Sequence, residues 1–135
     1  MNREDTVIVG AGPIGLACAI SAQRRGLDPL VIDAGAIVNS VLHYPTGMSF
    51  FTTPELLEIG GHPFTCAAEK PTREEALMYY RGVVRSEQIR VATYTKLLTA
   101  QPSGHGEDEE LQRVRHRRRL RAQTNAVQKE QNAVA

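Results

Sequence analysis

The chain has 135 residues, with 16 Lys and Arg against 15 Asp and Glu, for a formal net charge of +1. That length builds one domain with a sizeable core, and the near-neutral balance excludes a global field suited to nucleic acid or a membrane surface. Two cysteines, Cys18 and Cys66, lie far apart without CxxC or metal-ligand spacing, which reads as small packed thiols in a reducing compartment, the cytoplasm.

The first predicted element is a β-branched strand, Thr6-Val7-Ile8-Val9, which runs into Gly10-Ala11-Gly12-Pro13-Ile14-Gly15. A helix is expected from Pro13, where a missing N–H costs nothing, to Arg24-Arg25-Gly26, where cations and a glycine close it. Its body is apolar almost all round, so it should be covered on more than one side. The apolar run from Val7 to Ile20 does not read as a signal peptide. Glu4 and Asp5 stand where a basic segment would be needed, and glycines and Pro13 interrupt it. No stretch is long enough to span a bilayer. Pro29-Leu30-Val31-Ile32 then supplies a second strand that ends on Asp33.

Strand, GxGxxG turn, helix, strand and acid in that order describe a dinucleotide-binding βαβ unit. Gly10 allows the tight turn off the strand, Gly12 lets a pyrophosphate reach the backbone, and Gly15 lets helix and sheet pack closely. The phosphates belong on the helix N-terminus, where unpaired N–H groups and the helix dipole favour an anion. Asp33 is placed to accept hydrogen bonds from a ribose diol, and its charge opposes a 2'-phosphate there. FAD or NAD is therefore expected before NADP.

From Ala34 to Lys70 the chain is rich in turn residues, yet Tyr44, Phe50, Phe51 and Phe64 argue for an ordered loop. Pro54-Glu55-Leu56-Leu57 reads as at most one helical turn. Pro71-Thr72-Arg73-Glu74-Glu75 opens a second clear helix with a capping box between Thr72 and Glu75. Ala76, Leu77, Tyr80, Val83 and Val84 form its apolar face, and Tyr79 and Tyr80 are expected in core and boundary packing. Ile89 to Thr95 alternates as a third parallel strand, reached by a right-handed crossover.

After Leu98 the character changes. A linker, Gln101 to Gly106, precedes an acidic cluster from Glu107 to Glu110 and six arginines between Arg113 and Arg121, and Gln123 to Ala135 is polar and alanine-rich. No further strand is expected. The division is therefore residues 1–98 as part of a nucleotide-binding domain and 99–135 as a charged, disordered or weakly helical tail. Three readings compete for the tail: a solvated charged segment, a nucleic-acid arm, and an out-of-frame translation. The absence of interleaved aromatics and the neighbouring acids argue against the arm, and abrupt loss of hydrophobic period favours the shifted frame.

Beyond the glycine motif, the stretch from Val7 to Leu97 resembles the bacillithiol disulfide reductase-like branch of thioredoxin reductase-type flavoproteins. The matching pieces are Gly26 to Ile32, Val38-Asn39-Ser40, Tyr44-Pro45-Thr46, Phe50-Phe51-Thr52-Thr53, Leu57 to Gly61, Lys70 to Arg73, Ala76-Leu77 and Tyr79-Tyr80-Arg81. The resemblance implies an α/β fold, the start of a Rossmann-type parallel sheet with flanking helices, left incomplete at about one third of such an enzyme. It implies FAD as cofactor, with NAD(P)H delivering hydride from a second domain and a low-molecular-weight disulfide as substrate. Gly10, Ala11, Gly12, Pro13, Ile14 and Gly15 would hold the FAD pyrophosphate, Asp33 and Ala34 the adenosine side, and Ser40 would lie near the flavin.

Reductases of this branch often carry a cysteine directly before the third glycine. Here that residue is Ile14, which cannot form a mixed disulfide. With no second glycine motif after Leu98, the chain is expected to bind cofactor rather than turn over by itself. The other class of function left open is a nucleotide-binding module without redox chemistry, or nucleic-acid binding through the arginines.

Overall fold

The computed structural model describes residues 4–102 and 120–122. The acidic cluster 107–110, most of the arginine-rich run and residues 123–135 lie outside the described residues.

Three parallel strands, β1 (Thr6–Val9), β2 (Pro29–Ile32) and β3 (Arg90–Ala92), form one sheet in the order β1-β2-β3. Thr6 pairs with Pro29 and Val9 with Ile32, and Leu30 pairs with Arg90 and Ile32 with Ala92. Pro29 opens β2, a position where its missing N–H is tolerated. Helix α1 (Pro13–Gln23) joins β1 to β2, and α3 (Arg73–Ser86) leads into β3. Both start where the sequence places them, and α1 also stops there. Pro13 is the first residue of α1, and Gly26, at φ +77°, turns the chain after it. Thr72 Oγ1 accepts the Glu75 N–H while a Glu75 carboxylate oxygen accepts the Thr72 N–H at 2.8 Å, completing the capping box of α3.

The core lies between this sheet, α1, α3 and the long connection, and it gathers Leu16, Ile20, Val31, Val38, Phe64 and Tyr80. Two tyrosines of α3 pin the connection. Tyr80, 1 % exposed, donates its hydroxyl to the Leu57 carbonyl at 2.9 Å, and burial pushes its pKa up to about 12. Tyr79 donates to the His62 carbonyl at 2.7 Å, accepts the Ile59 N–H at 2.9 Å, and stacks on Phe64 with ring centroids 4.3 Å apart. The expected core and boundary packing of both rings is therefore present. It also explains why a stretch with so many turn residues is ordered: its backbone groups are satisfied by side chains of a rigid helix. Pro54–Leu57 forms a single 3-10 turn, as the sequence suggests.

Four features differ from the sequence reading. A short helix α2 (Asn39–Leu42) interrupts the irregular stretch, too brief for hydrophobic periodicity to reveal. Strand β3 ends at Ala92 because Tyr94 takes φ +53° and turns the chain. Helix α1 is covered along one side only. Leu16, Ala19 and Ile20 are buried, whereas Ile14 is 78 % exposed and Cys18 is exposed rather than packed. Finally, strands do follow Leu98: β4 (Ala100–Pro102) pairs antiparallel with β5 (Leu120–Ala122). Three-residue strands need only backbone hydrogen bonds and are too short to show alternation in the sequence.

Glu87, just beyond α3, binds His62 Nε2 at 2.5 Å and Arg24 at 3.4 Å, tying the ends of both long helices to the connection. The His62 hydrogen bond, above all, holds the Glu87 carboxyl below its usual value of 4.5. A depressed carboxylate contributes stability above its unfolded value and loses it as pH falls through the folded one. The wild type's resistance to urea should therefore fall as pH drops below about 4.5, and Glu87→Gln should show a shallower loss over the same window. Tyr80→Phe, which strips the Leu57 carbonyl of its partner, should cost about 1 kcal/mol at neutral pH.

Candidate functional site

The C-terminal ends of the three parallel strands lie side by side, and the residues that follow β1 and β2 build the site. In open α/β sheets this edge is where ligands bind. Gly10 follows β1 with φ +106°, a conformation that L side chains rarely adopt, and its N–H donates to the Ile32 carbonyl at 2.8 Å. Gly15 sits on the first turn of α1, where a Cβ would overlap the Gly10 carbonyl oxygen. Close approach of helix and strand thus depends on Gly15, as its place in the motif predicts.

Gly12 is different. It precedes α1 in extended conformation, and a Cβ built on it meets nothing within 4 Å. The helix N-terminus behind it carries no side-chain cap. Pro13 has no N–H, and Leu16 is the first residue to bond back to Gly12, at 3.0 Å. The N–H groups of Gly12, Ile14 and Gly15 therefore have no partner within the helix. Together they form an uncapped donor cluster at the positive end of an eleven-residue helix dipole, open to the outside.

Asp33, directly after β2, carries the second half of the site. One carboxylate oxygen accepts the Ala11 N–H and the other the Gly35 N–H, both at 2.7 Å. Such short bonds suit an ionised acceptor. A carboxylate offers about four lone-pair sites, so these two bonds leave capacity for a diol. The sequence reading assigned Asp33 to ligand alone; the structure adds a scaffold role, because this side chain shapes the glycine turn. Ala34 is exposed beside it.

Val38 was not singled out for the site in the sequence, and it closes the arrangement. Its N–H donates to the Ala11 carbonyl at 2.9 Å while its backbone takes φ +49°, ψ +47° and its side chain is fully buried. A β-branched residue in the left-handed region is strained, and it persists only where its surroundings fix it. No sequence signal reveals this, since valine reads as a strand former. Ser40 lies two residues on, exposed on α2. Gly10, Ala11, Asp33 and Val38 are thus joined by direct hydrogen bonds or adjacency, with Gly12 to Gly15 at the open end and Ser40 at the periphery.

The thiols stand apart from one another. Cys18 is exposed on α1, one turn beyond Ile14. Cys66 is half-buried in the connection, where its Sγ donates to the Ala68 carbonyl at 2.9 Å; burial, then the Glu75 carboxylate, pushes its pKa up and away from thiolate chemistry. Among the described residues no cluster of His, Cys, Asp or Glu has the arrangement of a metal site, and no helix is long and apolar enough to cross a membrane.

A family model described as pyridine nucleotide-disulphide oxidoreductase matches residues 7–115. Bacilliredoxin reductase of Bacillus subtilis is 47% identical over 85 residues, 63% of this chain and 26% of that protein. The solved bacillithiol disulfide reductase of Bacillus cereus superposes with a TM-score of 0.74 at 46% identity, covering 76% of this chain and 32% of that one. The Staphylococcus aureus bacillithiol disulfide reductase gives 0.73 at 41% identity, with 74% and 31% covered. The chain therefore spans about a quarter to a third of the length of these relatives.

The two inner glycines should separate by experiment. Gly15→Ala is expected to lower stability by about 2 kcal/mol in chemical denaturation, the scale of overpacking a tight contact. Gly12→Ala should leave the unfolding midpoint unchanged.

Proposed function

The chain belongs to the pyridine nucleotide-disulphide oxidoreductase family, and from that premise we propose that it is the FAD-binding portion of a flavin-dependent, NAD(P)H-linked reductase of low-molecular-weight disulfides. The observation that carries the reading is the uncapped N-terminus of α1 behind an open Gly12, with the Asp33 carboxylate at the neighbouring strand end. An anion and a diol bound at neighbouring strand ends are the two halves of a dinucleotide's polar backbone. The disulfide substrate is inferred from the bacilliredoxin and bacillithiol disulfide reductases that share 41–47% identity with the matched stretch.

In this reading Gly10, Ala11, Gly12, Pro13, Ile14 and Gly15 surround the pyrophosphate, and the N–H groups of Gly12, Ile14 and Gly15 donate to its oxygens. Asp33 accepts the ribose hydroxyls with the lone pairs that Ala11 and Gly35 leave free, and Ala34 leaves room beside it. Ser40 belongs to the segment approaching the flavin. Bound FAD would supply two-electron transfer between a nicotinamide donor and a disulfide. The residues of this chain bind and orient that group. Ile14, exposed at the head of α1, excludes a covalent thiol step at its own position, and the site has no catalytic side chain among the residues assigned to it. We place the protein in the cytoplasm, where free thiols such as Cys18 and Cys66 stay reduced.

The test is flavin retention by the full chain. After incubation with FAD and desalting, the protein should carry flavin absorbance, and FAD should raise its thermal midpoint, as any ligand of the native state does. Gly12→Val, which fills the cradle, should abolish both effects while the protein remains folded. Absence of retained flavin together with no thermal shift at excess FAD would overturn the reading.

A further inference from the structure

Arg73, the first residue of α3, is not among the residues assigned to the site, yet a continuous run of hydrogen bonds leads from it to the glycine turn. Its Nη2 donates to the Leu42 carbonyl at 2.6 Å. The Leu42 N–H donates to the Val38 carbonyl at 3.1 Å, and the Val38 N–H to the Ala11 carbonyl at 2.9 Å. On the other side of that peptide the Ala11 N–H meets the Asp33 carboxylate. Three bonds in line therefore join the guanidinium to the peptide that shapes the turn.

The middle of this relay needs outside support. Helix α2 has four residues, far below the length at which a helix persists by itself, and Val38 at its head provides no side-chain cap. Val38 also holds its left-handed backbone against the preference of a β-branched residue, a conformation that lasts only where neighbours over-determine it. At the other end of α2, Arg73 brings a cation and a donor to a terminal carbonyl, the pairing that a helix C-terminus favours.

Arg73 is itself firmly held. Its side chain is 16 % exposed, and its Nη1 donates at 2.8 Å to a Glu74 carboxylate oxygen that also accepts the Gly47 N–H at 3.2 Å. The Arg73 hydrogen bond, then that of Gly47, holds the Glu74 carboxyl below its usual value. The backbone N–H of Arg73 adds a bond to the Met48 carbonyl at 2.7 Å. One residue thus grips both ends of the exposed loop 43–47 and fixes where α2 stops.

We propose that Arg73 is a positioning residue of the nucleotide site: by holding the C-terminal end of α2 it keeps Val38 bonded to Ala11, and so keeps the glycine turn in the shape that receives the pyrophosphate. This rests on the proposed nucleotide reading of the Gly10–Gly15 and Asp33 site. Arg73 touches no ligand in this assignment. It sets the fraction of molecules whose turn is ready to bind.

Calorimetric titration with ADP and hydrogen exchange at the Val38 amide test it, on the full chain as wild type, Arg73→Met, Arg73→Lys and Tyr80→Phe. Methionine keeps an apolar stem and removes the guanidinium. Arg73→Met should bind ADP about tenfold more weakly and exchange the Val38 amide about tenfold faster, as when the ready turn falls to about a tenth of the population. Arg73→Lys, whose ammonium cannot serve Leu42 and Glu74 as a planar fork does, should show an intermediate loss, and it carries the test if Arg73→Met does not fold. Tyr80→Phe lowers stability away from the relay and should leave both readings at the wild-type level. Unchanged ADP affinity or Val38 exchange in the Arg73 variants, or an equal loss in Tyr80→Phe, would overturn the assignment of Arg73 while leaving the nucleotide site intact. A wild type that binds no ADP would overturn both.

Discussion

The geometry of the site depends on one peptide unit, that of Ala11. Its N–H is held by the Asp33 carboxylate and its carbonyl by the Val38 N–H, at 2.7 and 2.9 Å. Those two bonds fix the turn between β1 and α1 from both sides, and only with the turn fixed does the α1 N-terminus present its donors outward. Preorganisation of this kind removes the ordering cost that a flexible anion-binding loop would meet on binding. Asp33 therefore shapes the turn through the backbone it holds in place, while its remaining lone pairs stay open at the strand end.

The long connection depends on a second, independent set of bonds. Tyr79, Tyr80 and Arg73 of α3 reach three separate parts of it: the Ile59–His62 backbone, the Leu57 carbonyl and, from Arg73, the Leu42 carbonyl at 2.6 Å. Ser49 and Thr72 form an isolated antiparallel bridge, and Phe50 donates to the Pro71 carbonyl at 2.9 Å. A helix with well-formed ends thus serves as the rigid wall against which an otherwise irregular segment is ordered. The strained Val38 at the head of α2 stands where the two sets of bonds meet.

Much of this was legible from residue types. The three parallel strands, the limits of α1, the capping box at Thr72 and the structural duties of Gly10 and Gly15 follow from local rules that need no tertiary information. Features imposed by tertiary contact were not legible. Val38 and Tyr94 adopt left-handed backbones against their own preferences, and the exposed side of α1 cannot be distinguished from its buried side when both are apolar. Asp33 shows the boundary well. Its position after β2 raises the expectation of a ligand-facing acid, but its bonds to Ala11 and Gly35 appear only once the turn is folded around it.

The distances along the chain spanned by these contacts bear on assembly order. The Asp33–Ala11 bond joins residues 22 apart, whereas the Arg90–Asp28 pair that fastens β3 beside β2 joins residues 62 apart. By the logarithmic dependence of loop closure, the longer connection costs only about 0.9 kcal/mol more to close. The nucleotide turn can therefore close early as a local unit, with β3 and its turn docking afterwards. On the same scaling, insertions or deletions between Ala34 and Lys70 carry a small entropic penalty wherever they spare the contacts to α3. Variation in this family is thus expected to accumulate in that connection, and the strand ends around the glycine turn can stay in register while it does.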